Sequence, residues 1–179
     1  MPYEPLPDLA TLSLAEIAAL NAARKLPPVS QWNPQASGDS LMTIRADGRW
    51  FHDGGEIRRP AMIRAFAGLL RREADGGYYL VTPVEKQSIK IEDAAFIATD
   101  VVAQDGALAF RLNTDEVVVA GPDHPLAARG SAELPAIYLA VRNGCEARIN
   151  RSTWLQLVDL ADEDLCIISQ GARFALVPA

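Results

Sequence analysis

Cysteine is nearly missing from this sequence: Cys145 and Cys166 are the only two in 179 residues, and neither sits in a CxxC spacing. A disulfide scaffold and a thiol-built zinc or redox centre are thereby excluded, and both cysteines are read as reduced thiols of a cytoplasmic protein. Long apolar runs are missing too. The first apolar window, Leu9 to Leu26, is broken by Glu16, Asn21, Arg24 and Lys25, and no stretch approaches the roughly 18 apolar residues of a membrane span. Neither a signal peptide nor a membrane partner is expected. Of the motifs that carry known chemistry, GxSxG, HExxH, the Walker loop, GxGxxG and zinc-type Cys/His spacing are all absent, which weakens an enzyme reading without excluding it. No cofactor or metal is called for.

Excess positive charge is also lacking, with a net charge of −6. Residues 1–90 hold 11 Lys/Arg against 10 Asp/Glu and residues 91–179 hold 6 against 13, so the halves carry about +1 and −7. Such a chain is not expected to bind nucleic acid, which needs clustered cations. It leaves room for one small anionic ligand on the basic half.

With 49% hydrophobic and 22% charged residues, the chain can bury one core or two small ones. After a Pro-marked tail, Ser13-Leu14-Ala15-Glu16 followed by Ile17, Leu20 and Ala23 predicts a capped amphipathic helix ending at Pro27-Pro28. Ser30 to Ser40 reads as a loop anchored by Trp32. Leu41–Ala46, the Asp47-Gly48 turn and Arg49–His52 predict a hairpin. A helix follows, begun by Pro60 and carrying Met62, Ile63, Phe66, Leu69 and Leu70 at helical spacing, and then a strand over Tyr78–Thr82. From Ser88 to Ala120 the segments Ile89–Ile91, Phe96–Val102, Leu108–Leu112 and Val117–Ala120 predict an antiparallel meander, and Gly121-Pro122-Asp123-His124-Pro125 is the clearest internal break.

Beyond that break the hairpin–helix order returns. Ile137–Arg142, the Asn143-Gly144 turn, Cys145–Ile149, a helix over Ser152–Leu160 and a strand over Leu165–Ser169 repeat the first pattern. Aligning the turns pairs Leu41 with Ile137, Arg59 with Arg151, Met62 with Trp154 and Phe66 with Val158. The expected fold class is therefore α+β, with duplicated strand–turn–strand–helix–strand units around a central antiparallel β meander. The expected division is 1–29 tail and helix, 30–87 first unit, and 88–179 meander and second unit.

Arg45, Arg49, Arg58, Arg59, Arg64, Arg71 and Arg72 crowd into residues 45–72 without a lysine. Arginine's planar fork suits carboxylate and phosphate. Arg64, Arg71 and Arg72 are better read as the solvent side of the helix. Arg58 and Arg59, at the strand-to-helix junction where free N–H groups favour anions, divide evenly between binding and structure. Thr82, Glu85 and Lys86 mark a strand end of the kind that builds pockets, although a Pro-capped turn with an exposed Glu–Lys pair explains them as well. His52, Asp53, Glu56 and Asp47 could ligate a metal, but hairpins are rich in such residues for turn geometry alone. Trp50 and Phe51 read as core aromatics, one of them facing inward.

The runs Ile44-Arg45-Ala46-Asp47-Gly48-Arg49-Trp50-Phe51-His52-Asp53-Gly54, Ile57-Arg58-Arg59 and Tyr79-Leu80-Val81-Thr82-Pro83-Val84-Glu85-Lys86, in that order, make the sequence resemble the bacterial DUF1285 family from about Pro27 onward. The resemblance implies a duplicated core, a C-terminal part like pleckstrin-homology domains, a small-molecule site for a nucleotide-like ligand between the halves, and a signalling role. The second half carries Glu146-Ala147-Arg148 in place of the Trp-Phe-His motif, so only one unit supplies those residues. The leading expectation is a ligand-binding or regulatory protein holding an anionic small molecule, with Trp50, His52, Arg58, Arg59, Thr82, Glu85 and Lys86 as ligand-binding residues. The alternatives are an enzyme such as a hydrolase using His52 and Glu85 as acid or base, and a module that binds a protein partner through the acidic half.

Overall fold

The computed structural model describes residues 8–24 and 26–179; the Pro-marked tail, Lys25 and the side chains of Leu9, Ala18, Leu20, Asn21, Ala22 and Ala23 lie outside the described residues. Helix α1 (Leu14–Ala23) begins at the capping serine, whose Oγ accepts the Glu16 N–H at 3.1 Å and so satisfies a first-turn donor. Ile17 is fully buried and seats the helix on Ala109 and Val117.

The first half is built from β1 (Ala36–Ile44), β2 (Trp50–His52), β3 (Gly55–Ile57), α2 (Pro60–Ala67), β4 (Leu70–Arg72), β5 (Tyr78–Val81) and β6 (Glu85–Ile91). These strands form one six-stranded sheet in the order β3-β2-β1-β6-β5-β4. Each triplet is an antiparallel meander, and the two triplets join through a parallel pair, Ala36 opposite Glu85 and Ile44 opposite Ile91. The second half repeats this with β7 (Phe96–Gln104), β8 (Ala107–Leu112), β9 (Val117–Val119), β10 (Leu126–Gly130), β11 (Pro135–Arg142) and β12 (Cys145–Ile149). Its order is β10-β11-β12-β7-β8-β9, with β7 and β12 as the parallel pair. Helix α3 (Arg151–Leu160) and a hairpin of β13 (Cys166–Ser169) and β14 (Ala172–Ala175) complete the chain. The protein is thus mostly β with few helices, in two similar halves.

The duplication runs in a different register from the one the sequence predicts. Strand order equates β1–β6 with β7–β12, so the Asp47-Gly48 turn corresponds to Asp105-Gly106, and Asn143-Gly144 corresponds to the Thr82–Val84 turn. The strand–turn–strand–helix–strand order does recur along the chain, ending in α2–β4 and in α3–β13, but at non-equivalent places: α2 links the two meanders of the first sheet, whereas α3 follows the last strand of the second. The Gly121–Pro125 break lies inside the second sheet, between β9 and β10, where the first sheet has α2. Three local assignments change as well. Ala36–Ser40 belongs to β1 rather than to a loop, Arg71 and Arg72 lie on β4 rather than on the helix, and Ile89–Ile91 ends the first sheet rather than opening a separate meander.

Turn chemistry explains why the hairpins close where they do. Asp53-Gly54, Asp105-Gly106 and Asn143-Gly144 have both residues at positive φ, the two-residue turn whose twist matches antiparallel strands. One continuous core joins the sheets, from Ile44, Trp50 and Leu70 of the first to Phe96, Phe110 and Leu139 of the second. The turns also dock the halves. A Cβ at Gly48 would lie 2.7 Å from Ile97 Cγ1, and the Arg72 N–H donates to Asn143 O at 2.9 Å. Among the described residues, no helix is long and apolar enough to cross a membrane.

Candidate functional site

The structure disperses the residues expected to bind a ligand. Trp50 is 1% exposed and stacks on Phe66 at 6.4 Å between ring centroids, so it belongs to the core, while Phe51 is half-buried under the Arg45 guanidinium. His52 is exposed on β2. Arg58 is exposed and pairs with Glu56 at 3.0 Å; Arg59 is exposed and precedes α2 with no side-chain partner among the described residues. The Thr82 hydroxyl is consumed locally, donating to Glu85 O at 3.1 Å and accepting from the Glu85 N–H at 3.2 Å. The Glu85 carboxylate accepts from Gln87 at 3.3 Å. Lys86 donates to both oxygens of Glu73, at 3.0 and 2.9 Å, and lies over the Tyr79 ring.

Sheet register shows how far apart these groups are. Arg58 and Arg59 follow Ile57, which aligns across β2 and β1 with Ile91 at the far end of β6 from Lys86. Three strand spacings and five residues separate the two clusters, roughly 20 Å at about 3.3 Å per residue and 4.8 Å per strand. His52 and Glu85 are likewise on the order of 15–20 Å apart. Neither pair meets at one site. Among the described residues, no three His, Cys, Asp or Glu side chains converge to hold a metal ion.

What converges instead is a seam between the halves. A cleft of about 520 Å³ is bounded on one side by the Ala46-Asp47 turn and on the other by Thr99, Asn113, Arg148 and Arg151, with Asp93 beside them. Alternation along β11 and β12 places Tyr138 opposite Arg148 on the outward face. The Tyr138 hydroxyl donates to Asp93 Oδ1 at 2.6 Å, and Arg148 Nη1 reaches Asp93 Oδ2 and the Tyr138 oxygen, each at 3.2 Å. Burial, and then the bond to Asp93, push the Tyr138 phenol above its ordinary value, so it remains a donor. Asp47 is held below the usual carboxylate range by the Arg49 N–H and then by the Arg49 guanidinium.

Both cleft carboxylates therefore already have cations: Asp47 has Arg49 at 2.8 Å, and Asp93 has Arg148. Arg151 is exposed and has no side-chain partner among the described residues. It sits at the start of α3, which Asn150 caps by accepting the Thr153 N–H at 2.9 Å. The cleft thus combines the aliphatic Ile97 and Ile149 with the Thr99 hydroxyl and the Asn113 amide, and has one uncompensated guanidinium. In the sequence Arg151 stands out as the counterpart of Arg59, and no motif marks Asp93, Tyr138 or Asn113. Alternation in β11 and β12 could have flagged Tyr138 and Arg148 as outward-facing, but nothing local marks the half that they face.

These features define a class: a duplicated, two-sheet β-rich protein with a cleft carrying charged side chains on the seam between its halves. The chain belongs to the DUF1285 family. The model described as the N-terminal domain of this family, a domain of unknown function, matches residues 27–94, and that of the C-terminal domain matches residues 95–176. A crystal structure of a DUF1285 family protein from Silicibacter pomeroyi DSS-3 is 38% identical, covers 91% of this chain and 95% of its own, and superimposes with a TM-score of 0.77. Another, from Shewanella baltica OS155, is 24% identical over 67% of this chain and 91% of its own, with a TM-score of 0.56, and shares the fold. No curated protein matches the chain.

Proposed function

We propose that this protein is a cytoplasmic ligand-binding, regulatory protein that holds an anionic small molecule in the cleft between its halves. The observation that carries the reading is Arg151, a partnerless guanidinium on a cleft of about 520 Å³ whose two carboxylates are already paired. An anion bound there gains charge-assisted hydrogen bonds from Arg151, with Thr99 and Asn113 within the same walls. The position of α3 after the last strand of a six-stranded sheet is the feature of the second half that favours the pleckstrin-homology comparison, and with it a signalling role. The hydrolase alternative loses support from the separation of His52 and Glu85. The first-half location loses support because Thr82 and Lys86 are engaged locally.

Thermal shift with orthophosphate, pyrophosphate and nucleoside phosphates tests this on the wild type, Arg151→Ala and Arg59→Ala. At least one anion should raise the wild-type Tm, and the rise should vanish in Arg151→Ala while persisting in Arg59→Ala. The reverse pattern would move the site to the strand-to-helix junction, and no stabilisation by any anion would refute the reading.

A further inference from the structure

Beside the cleft, and sharing Arg148, Ile149 and Arg151 with it, lies a second cavity of about 350 Å³. Its floor is Ile137, 1% exposed, and Ile149, 4% exposed; its walls include the half-buried Trp154. Leu134 and Leu155 rim it at 80% and 50% exposure. Large apolar side chains grouped around a concave surface are where soluble proteins receive apolar partners. The groove runs from an aliphatic floor to the cationic wall that it shares with the cleft, so its two ends differ in chemistry.

We infer that the ligand is a single-chain amphiphilic anion, its carboxylate held at Arg151 and its alkyl chain laid in the groove between Leu134 and Leu155. This inference rests on the proposed anion site and adds the ligand class to it. Charge complementarity sets the orientation: Arg148 and Arg151 lie at the end joined to the cleft, and Glu133 is the only carboxylate among the groove-lining residues. Aliphatic side chains predominate over groups that could read the polar edge of a nucleobase, so the surface suits a chain better than a base. A bound chain would cover the two leucines that otherwise face water.

The test is calorimetric titration with orthophosphate, butyrate, octanoate and 1-octanol at monomeric concentrations. It uses the wild type, Arg151→Ala and Leu155→Ser, the last at an exposed helix position. Each buried methylene should tighten binding about 4-fold, so octanoate, with at least three of its four extra methylenes covered, should bind the wild type at least about 50-fold more tightly than butyrate. Leu155→Ser, which adds no charge one turn from Arg151, should weaken octanoate about tenfold while leaving orthophosphate unchanged, and Arg151→Ala should weaken both. If orthophosphate binds but chain length adds nothing, the amphiphile inference is overturned and the anion site stands. If neither orthophosphate nor any alkanoate binds, both fall. Octanol binding as tightly as octanoate, or octanoate binding indifferent to Arg151, would also overturn the inference.

Discussion

Glu116 offers the sharpest test of how the halves are held together. Its side chain is 6% exposed and receives two Arg142 nitrogens, Nη1 on Oε2 and Nη2 on Oε1, the latter at 2.9 Å. Thr114 Oγ1 donates to Oε1 at 3.2 Å, and Arg24 Nη2 lies 3.9 Å from the same oxygen. Arg142 Nη2 also donates to Ala67 O at 3.3 Å, and Arg24 Nη1 donates to Asp115 O at 3.2 Å. The Glu116–Arg142 pair thus ties the residue that follows α1, the end of α2 and the second sheet. Burial pushes the Arg24 guanidinium below its ordinary value, with Glu116 opposing the shift and Arg64 and Arg142 adding to it. Glu116→Ala leaves two largely sheltered guanidiniums without their counter-charge, a loss of about 3–5 kcal/mol for a fully buried pair. The Arg142 and Arg24 side chains are 17% and 20% exposed, so the low end applies, about 3 kcal/mol. For a chain of this size that is roughly 6–12 °C in Tm. The double variant Glu116→Leu/Arg142→Met removes both charges of the main pair and should return to within about 1.5 kcal/mol of the wild type. Urea unfolding should show this as a fall and recovery of the midpoint at constant slope. A single-variant loss below about 1 kcal/mol, or additive effects in the double variant, would refute the reasoning.

Two further outcomes follow from single groups. Glu73 is held below the usual carboxylate range by hydrogen bonds from Lys86 and then Arg71, so its contribution is present at neutral pH and lost as pH falls through its folded-state value. Glu73→Gln should therefore be less stable than the wild type at pH 7 and equal to it near pH 2, as read by urea midpoints; a deficit that persists in acid would contradict the ion-pair account. Both cysteines are free, and burial pushes the Cys145 thiol up to about 11. A disulfide-exchange reagent at pH 8 should titrate one thiol rapidly in the native protein, the half-buried Cys166, and two after unfolding. Equal native rates for the two would show that the region around Cys145 opens.

Local chemistry made much of this fold legible in the sequence. Asp105-Gly106 and Asn143-Gly144 close hairpins because only certain residues tolerate two successive positive φ angles, and Pro60 starts α2 because its ring suits the first turn. Ser13 caps α1, and Trp50 faces inward while Phe51 does not, both consequences of neighbours a few residues away. The existence of a repeat could also be seen in the order of elements, but its register could not. A hairpin beside a helix is common enough to align with the wrong partner, and the correct register depends on the parallel joins β1·β6 and β7·β12. Residues 36 and 85 meet there across nearly fifty intervening positions, and polar Ala36–Ser40 carries no alternation to announce a strand. The candidate site divides in the same way. Arginine content could be read from the sequence, but whether a guanidinium is engaged depends on which carboxylate the fold carries to it. Tertiary structure gave Glu73 to Lys86, Asp93 to Arg148 and Glu116 to Arg142, and it set Arg151 on a cleft whose carboxylates were already paired.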